Sequence, residues 1–131
     1  MVTEDCWFSS RTETGRHPHE RFIASDSRGR DAAMAWTKDH RARSPYPLRH
    51  SVANIFVTGL RDDEVDLDSY LFVTRIADRR PAALSSGIVH WTLRRDGDGV
   101  HRIVKKETVL DSIESAPFVD IAEVRDRSTA W

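Results

Sequence analysis

The feature that most constrains the fold is the run from His50 to Leu110, where four extended segments follow one another across short polar connections. Val65–Ile76 reads VDLDSYLFVTRI. Val65, Leu67, Leu71 and Val73 share one parity, and Asp66, Asp68, Tyr70, Phe72 and Thr74 share the other. A period of two marks a strand with one face more buried than the other. Ser51–Thr58 is rich in β-branched and aromatic residues, and Gly59 to Glu64 supplies a polar turn. Ile88–Arg94 reads as a third strand, followed by Arg95-Asp96-Gly97-Asp98-Gly99, whose two Asp-Gly pairs signal a tight hairpin. Val100–Leu110 returns as the fourth strand, while Ala77–Arg80 ahead of Pro81 reads as a longer connection. No crossover helix fits between these segments, so they predict an antiparallel meander.

The flanks are less regular. Residues 1–49 are polar and broken by Gly15, Pro18, Gly29, Pro45 and Pro47. They predict a strand over Cys6–Arg11, a short extended piece over Arg21–Ala24, and a helix over Asp31–His40. The Asp31 carboxylate is placed to cap that helix, and Ser44-Pro45-Tyr46-Pro47 to stop it. Residues 112–131 carry a short apolar patch (Phe118, Val119, Ile121) in a charged tail, expected as one ordered segment followed by fraying. The 131 residues suit one α+β domain, divided into an irregular part (1–49), a meander (50–111) and a tail (112–131).

Such a sheet raises a covering problem. At ~1.5 Å rise per residue, the single strong helix covers about half of one sheet face. The rest must be covered by curling, by other segments or by another chain, which makes the protein a candidate obligate partner.

Composition narrows the function classes. Twenty basic and twenty-one acidic residues leave a net charge of -1, giving no excess that would condense on nucleic acid or an anionic membrane. The longest apolar runs reach four or five residues, against the ~20 needed to span a bilayer. Glu4 and Asp5 stand where a secretory signal would be basic. Cys6, the one cysteine, excludes an internal disulfide and fits a reducing, cytoplasmic setting.

The chemistry-bearing residues form no strong motif. His17-Pro18-His19 lacks a recognised metal-ligand spacing, and one cysteine cannot hold a Rieske cluster, which needs two. No His-x-x-His or His-x-Asp pair suggests an iron site, so no metal or cofactor is expected in this chain. Gly97 and Gly99 belong to a turn and not to a phosphate loop. Arg94-Arg95 and Lys105-Lys106 are expected near each other across the hairpin, as edge-protecting charges or as a patch for an acidic partner. His50, His90 and Tyr70, with Asp68 near in sequence, are the catalytic alternative, since inward-facing His, Asp and Tyr on such a sheet can form an acid–base pocket. The plainer reading gives His50 a strand-anchoring role and leaves His90 half exposed beside Trp91.

The meander also resembles a known family. Arg49-His50-Ser51-Val52-Ala53-Asn54 looks like the Arg-His-x-x-Ser-Asn strand start of the small (beta) subunits of aromatic-ring-hydroxylating dioxygenases. Phe72-Val73-Thr74-Arg75 is similar to that family's apolar phrase closing on arginine. Gly87 followed by Trp91-Thr92-Leu93-Arg94-Arg95-Asp96-Gly97 is similar to its hairpin. Arg102 to Asp111 is similar to its last strand. The matched region runs over about residues 30–120, with Ala53 in place of a serine and Ile88-Val89-His90 in place of a more polar stretch.

The resemblance implies a cone-shaped, nuclear transport factor 2-like (SnoaL-like) fold with a strongly curved antiparallel sheet. The two N-terminal helices that cap the cone in that family are missing from this sequence. It further implies a non-catalytic subunit in aromatic-compound catabolism, assembled as α3β3 with a large subunit holding the Rieske 2Fe-2S cluster and the mononuclear iron. Two alternatives stand beside it. One is a stand-alone isomerase, dehydratase or cyclase using His50, His90 or Tyr70; the other is a homo-oligomer formed through the open sheet.

Overall fold

The computed structural model describes residues 1–16, 20–44 and 47–111. The His17-Pro18-His19 loop, Pro45-Tyr46 and the apolar patch of the tail lie outside the described residues. The elements are β1 (Val2–Thr12), α1 (Glu20–Ile23), β2 (Ser25–Arg28), α2 (Arg30–Arg43), β3 (Leu48–Leu60), β4 (Glu64–Ala77), β5 (Arg80–Arg95) and β6 (His101–Leu110). The six strands form one curved, unclosed sheet in the order β2-β1-β6-β5-β4-β3. Among the described residues no helix is long and apolar enough to cross a membrane.

The meander β3-β4-β5-β6 is antiparallel throughout, as the turn chemistry predicts. Two features depart from expectation. The sheet is mixed, because β1 pairs parallel to β6, with Phe8 beside Lys106 and Ser10 beside Thr108. A parallel neighbour needs a crossover, and here the whole intervening chain supplies it. In addition, the β4–β5 connection is a two-residue turn, with Ala77 paired to Arg80. Asp78 and Arg79 both take positive φ (50° and 64°), the backbone that lets a two-residue hairpin match strand twist. Pro81 therefore lies inside β5.

The N-terminal part is also rearranged. In place of the extended piece expected over Arg21–Ala24, Glu20–Ile23 forms one helical turn, held where the Glu20 carboxylate accepts the Thr12 backbone N–H at 3.0 Å and the Thr12 hydroxyl. The extended piece falls later, at Ser25–Arg28, antiparallel to β1. Gly29, and not Asp31, stands at the N-cap of α2. Its φ of 83° suits glycine, and its N–H donates to the Cys6 carbonyl at 2.7 Å, fixing the helix start on β1. From there α2 packs over β1 and β2, burying Ala33 completely.

Strand parity now divides the sheet into two faces. The helix-bearing face holds the core of Ile23, Leu48, Leu71, Val73, Val89 and Leu110, with Trp91 packed against it. The opposite, open face carries Tyr70, Phe72 and Ile88, all exposed. Gly87 lies against the β6 backbone; a Cβ there would meet Leu110 Cα at 2.9 Å and press on the Val109 backbone. The helices lie over the β1–β2 end, so the far end of β3 keeps Val52, Val57 and Leu60 exposed.

Candidate functional site

Lys106 is the chemically unusual residue of the helix-bearing face. Its partners in register are Trp91 on β5 and Phe8 on β1, so the ammonium stem lies between two aromatic side chains. Nζ lies 5.6 Å from the centre of each ring, within range for attraction between a cation and an aromatic face. Among the described residues Lys106 makes no ion pair, and burial lowers its pKa. Trp91 is fixed in turn: its Nε1–H donates to the hydroxyl of the fully buried Ser69 at 2.9 Å.

Two histidines approach the same ground from other elements. His40 is near the end of α2, its ring stacked on Trp36 at 4.6 Å between centroids. Burial lowers its pKa to about 4, with further lowering from His50, Arg43 and Lys106 and a small opposing effect of Asp39. His50, paired with Val73 and so on the helix-bearing face, stands exposed at the rim. Its pKa is lowered by partial desolvation and then by Lys106 and Arg41. Since His40 and His50 each feel Lys106, curvature has brought α2, β3 and β6 into electrostatic reach of one another. Near neutral pH the result is one cation with neutral imidazoles close by, against aromatic walls. A neutral imidazole can accept a proton, and an unpaired ammonium can neutralise a developing or resident negative charge.

The three residues of the catalytic alternative do not meet. Tyr70 pairs with Ile88, and His90 with Asp68, on the open face, whereas His50 points to the other side of the sheet. A period of two forces this separation, and no closed pocket can hold all three. The structure does bring Asp68 and His90 together: Nδ1 lies 2.6 Å from Oδ1 across the β4–β5 ladder. They border an open polar cleft of about 320 Å³ together with Thr58, Asp66, Trp91, Thr92 and Lys105.

The basic pairs also land differently. Arg94 and Arg95 oppose Arg102 and His101, while Lys105 and Lys106 lie farther up the hairpin, opposite Thr92 and Trp91. Both strands are interior to the sheet, so edge protection is not their role. Lys105 and Lys106 are divided by parity: Lys105 pairs with Glu107 at 3.0 Å on the open face, and Lys106 faces the helices. His40 and Lys106 were therefore missed as site residues. The signal for Lys106 lies in the strand itself, since Lys106, Thr108 and Leu110 share parity with the core position. Among the described residues no three His, Cys, Asp or Glu side chains are grouped to hold a metal ion.

No protein-family profile matches the sequence, and no match appears among characterised proteins. Solved structures do match in shape. An NTF2-like protein with a cystatin-like fold from Novosphingobium aromaticivorans superposes with a TM-score of 0.65 at 22% identity, covering 88% of this chain and 68% of that one. A protein from Catenulispora acidiphila in complex with S-DNPA superposes with a TM-score of 0.62 at 21% identity, covering 82% and 72%. A chain from N. aromaticivorans described as the beta subunit of an aromatic-ring-hydroxylating dioxygenase gives a TM-score of 0.64 at 14% identity, covering 88% and 75%. At these identities the likeness shows the fold, which is NTF2-like and cystatin-like.

Proposed function

We propose that this chain binds a small organic molecule against the helix-bearing face of its curved sheet, with Lys106, His40 and His50 as the polar groups and Trp91 and Phe8 as walls. The observation that carries this reading is the convergence of those groups from separate elements onto one face, next to an apolar core. Such a combination of apolar wall and few convergent polar groups is what ligand sites are built from. The likeness to a structure that holds S-DNPA supports a ligand in a sheet of this shape. In an acid–base reaction His40 or His50 would take the proton and Lys106 would stabilise the charge left behind. The reading keeps the small-molecule class of isomerase, dehydratase or cyclase and replaces Tyr70 and His90 as its site residues.

The test uses the indole N–H signals in nuclear magnetic resonance. Trp91 Nε1–H donates to Ser69 at the site, whereas Trp7 Nε1–H donates to Asp26 at 2.7 Å away from it. Titration with planar aromatic compounds is expected to shift the Trp91 signal and leave Trp7 in place. No shift at Trp91 with any of them would overturn the reading.

A second reading, assembly as the small subunit of a ring-hydroxylating dioxygenase, is favoured by two observations. One is the likeness to the beta subunit from N. aromaticivorans. The other is the open face, where Phe56, Tyr70, Phe72 and Ile88 are each 39–49% exposed, an apolar cluster suited to burial against another chain. In that case the Rieske cluster and mononuclear iron would reside in the large-subunit partner. Co-expression with such a large subunit, followed by size-exclusion chromatography, tests it; separate elution of the two chains would reject it.

A further inference from the structure

We infer that the ligand of the helix-bearing face is an aromatic acid, its carboxylate seated on Lys106 and its ring against Trp91. The inference rests on the small-molecule reading above and names the chemistry of the ligand.

The argument begins with charge balance. On the open face Lys105 is answered: it lies 3.0 Å from Glu107, which also accepts from Arg11. Lys106, one residue away and on the more enclosed side, has no carboxylate among the described residues. The titratable groups that feel its charge are His40 and His50, which cannot supply negative charge. An ammonium withdrawn from water without a counter-ion is costly, and an arriving anion relieves that cost. A neutral ligand would leave it in place.

The walls define the rest of the ligand. Nζ lies 5.6 Å from both the Phe8 and Trp91 ring centres, so a group on Lys106 is flanked by aromatic surface. Trp91 is held by Ser69 and cannot swing away without losing that hydrogen bond. A flat ring carrying a carboxylate satisfies both features together, whereas an aliphatic acid would use the charge alone and a neutral arene the walls alone. The open-face cleft at Asp68 and His90 is also bordered by Trp91 and Lys105, but Lys105 is already paired with Glu107 and the carboxylates of Asp66 and Asp68 would repel the same anion.

The experiment compares 2-naphthoate with 2-naphthamide, which keeps the shape and removes the charge, by isothermal titration calorimetry on the full chain with the Trp91 indole signal recorded in parallel. Naphthoate is expected to bind at least tenfold tighter near neutral pH. Lys106→Met is expected to bring the two compounds to equal affinity, Lys106→Arg to keep the preference, and Lys105→Met on the open face to leave it intact. Urea unfolding of each variant shows whether it is folded. Equal affinity of the two compounds for the wild-type chain, with Trp91 still shifting, would overturn the aromatic-acid inference and leave the small-molecule site standing. A preference that survives in folded Lys106→Met would also overturn it, by placing the anion elsewhere. Absence of any Trp91 shift with either compound would remove both.

Discussion

The two faces of the sheet are made from alternate residues of the same strands, yet they treat charge in opposite ways. On the open face, charges are answered by neighbours: Arg61 reaches Glu64 at 2.9 Å and Asp66 at 2.5 Å, Arg94 reaches Asp5 at 2.9 Å, and Lys105 reaches Glu107 at 3.0 Å. On the helix-bearing face Lys106, His40 and His50 influence one another, and Asp39, the acidic group acting on His40, is the weakest of the influences named there. The contrast teaches where function is to be sought. Paired exposed charges keep a sheet surface soluble at little energetic gain. A cation and two imidazoles gathered beside a core, with no ion pair to Lys106 among the described residues, are costly to fold, and they make chemical sense where a ligand completes them.

The sharpest way to break the comparison is through packing. Leu71 and Phe72 are adjacent on β4; one is 8% exposed in the core, the other 47% exposed on the open face. Leu71→Ala is expected to cost about 2–5 kcal/mol, the range for emptying a core site. Phe72→Ala should change stability by less than about 1 kcal/mol in the isolated chain, since surface changes away from special features have small effects. Urea unfolding measures both. A large loss from Phe72→Ala would mean that the open face is already covered, by a second copy or by another part of the chain. Gly87→Ala belongs with Leu71→Ala: the new methyl meets backbone of β6, which cannot rotate away, and overpacking of this kind costs about 1–3 kcal/mol. Gly97→Ala in the hairpin turn, with open space around it, is the matched control.

The next effect is a pH dependence that belongs to one face. His40 in the folded chain titrates at about 4 instead of the ordinary 6.5, through burial first and then through His50, Arg43 and Lys106, with Asp39 opposing. As pH falls below 6.5 the unfolded chain takes up a proton at His40 and the folded chain does not. The unfolded state therefore binds more protons across that window, and stability declines as pH drops from about 6.5 towards 4. His40→Gln is expected to flatten that decline, as read from urea midpoints at half-unit pH steps. Lys106→Met, by removing a nearby cation, should move the His40 titration upward in a proton-resonance experiment. Asp5 on the open side acts later: held down to about 2 by Arg94, its contribution is present above 3.8 and fades below that value. If His40→Gln leaves the decline between 6.5 and 4 unchanged, the grouping of Lys106 with His40 and His50 is not what distinguishes the two faces.

How much of this was legible in the sequence follows from the range of the interactions. The meander was readable because its information is local: alternation in Val65–Ile76 and the Asp-Gly pairs before Val100 fix strands and turn within a few residues. The short Asp78-Arg79 turn was hidden, since positive φ at an aspartate and an arginine leaves none of the usual Asn-Gly or Gly-Gly signature. Without that turn the β4–β5 register was unknown, and with it the pairing of Asp68 to His90. The parallel seam of β1 against β6 joins the two ends of the described chain, and nothing local marks it. The site itself is of the same kind. Parity alone could have placed Lys106 beside Leu110, but His40 reaches it from a helix by way of sheet curvature, which no single segment encodes.

The smallest effect tests the open face on its own terms. His90 and Asp68 form a short cross-strand pair, with side chains 41% and 23% exposed. If this pair is ordinary surface chemistry, His90→Asn and Asp68→Asn should each cost little, and a double-mutant cycle should return a coupling of about 0.5 kcal/mol, as exposed pairs do. The same variants should leave the preference for naphthoate over naphthamide unchanged, because the two groups lie across the sheet from Lys106. A coupling of several times that size would mean that water does not screen the pair. The open face would then be the more enclosed one in the working protein, and a covering partner would become the better account of its exposed aromatic residues. A small coupling with an unmoved preference leaves the asymmetry as drawn, with recognition on the side where Lys106 has no acid among the described residues to answer it.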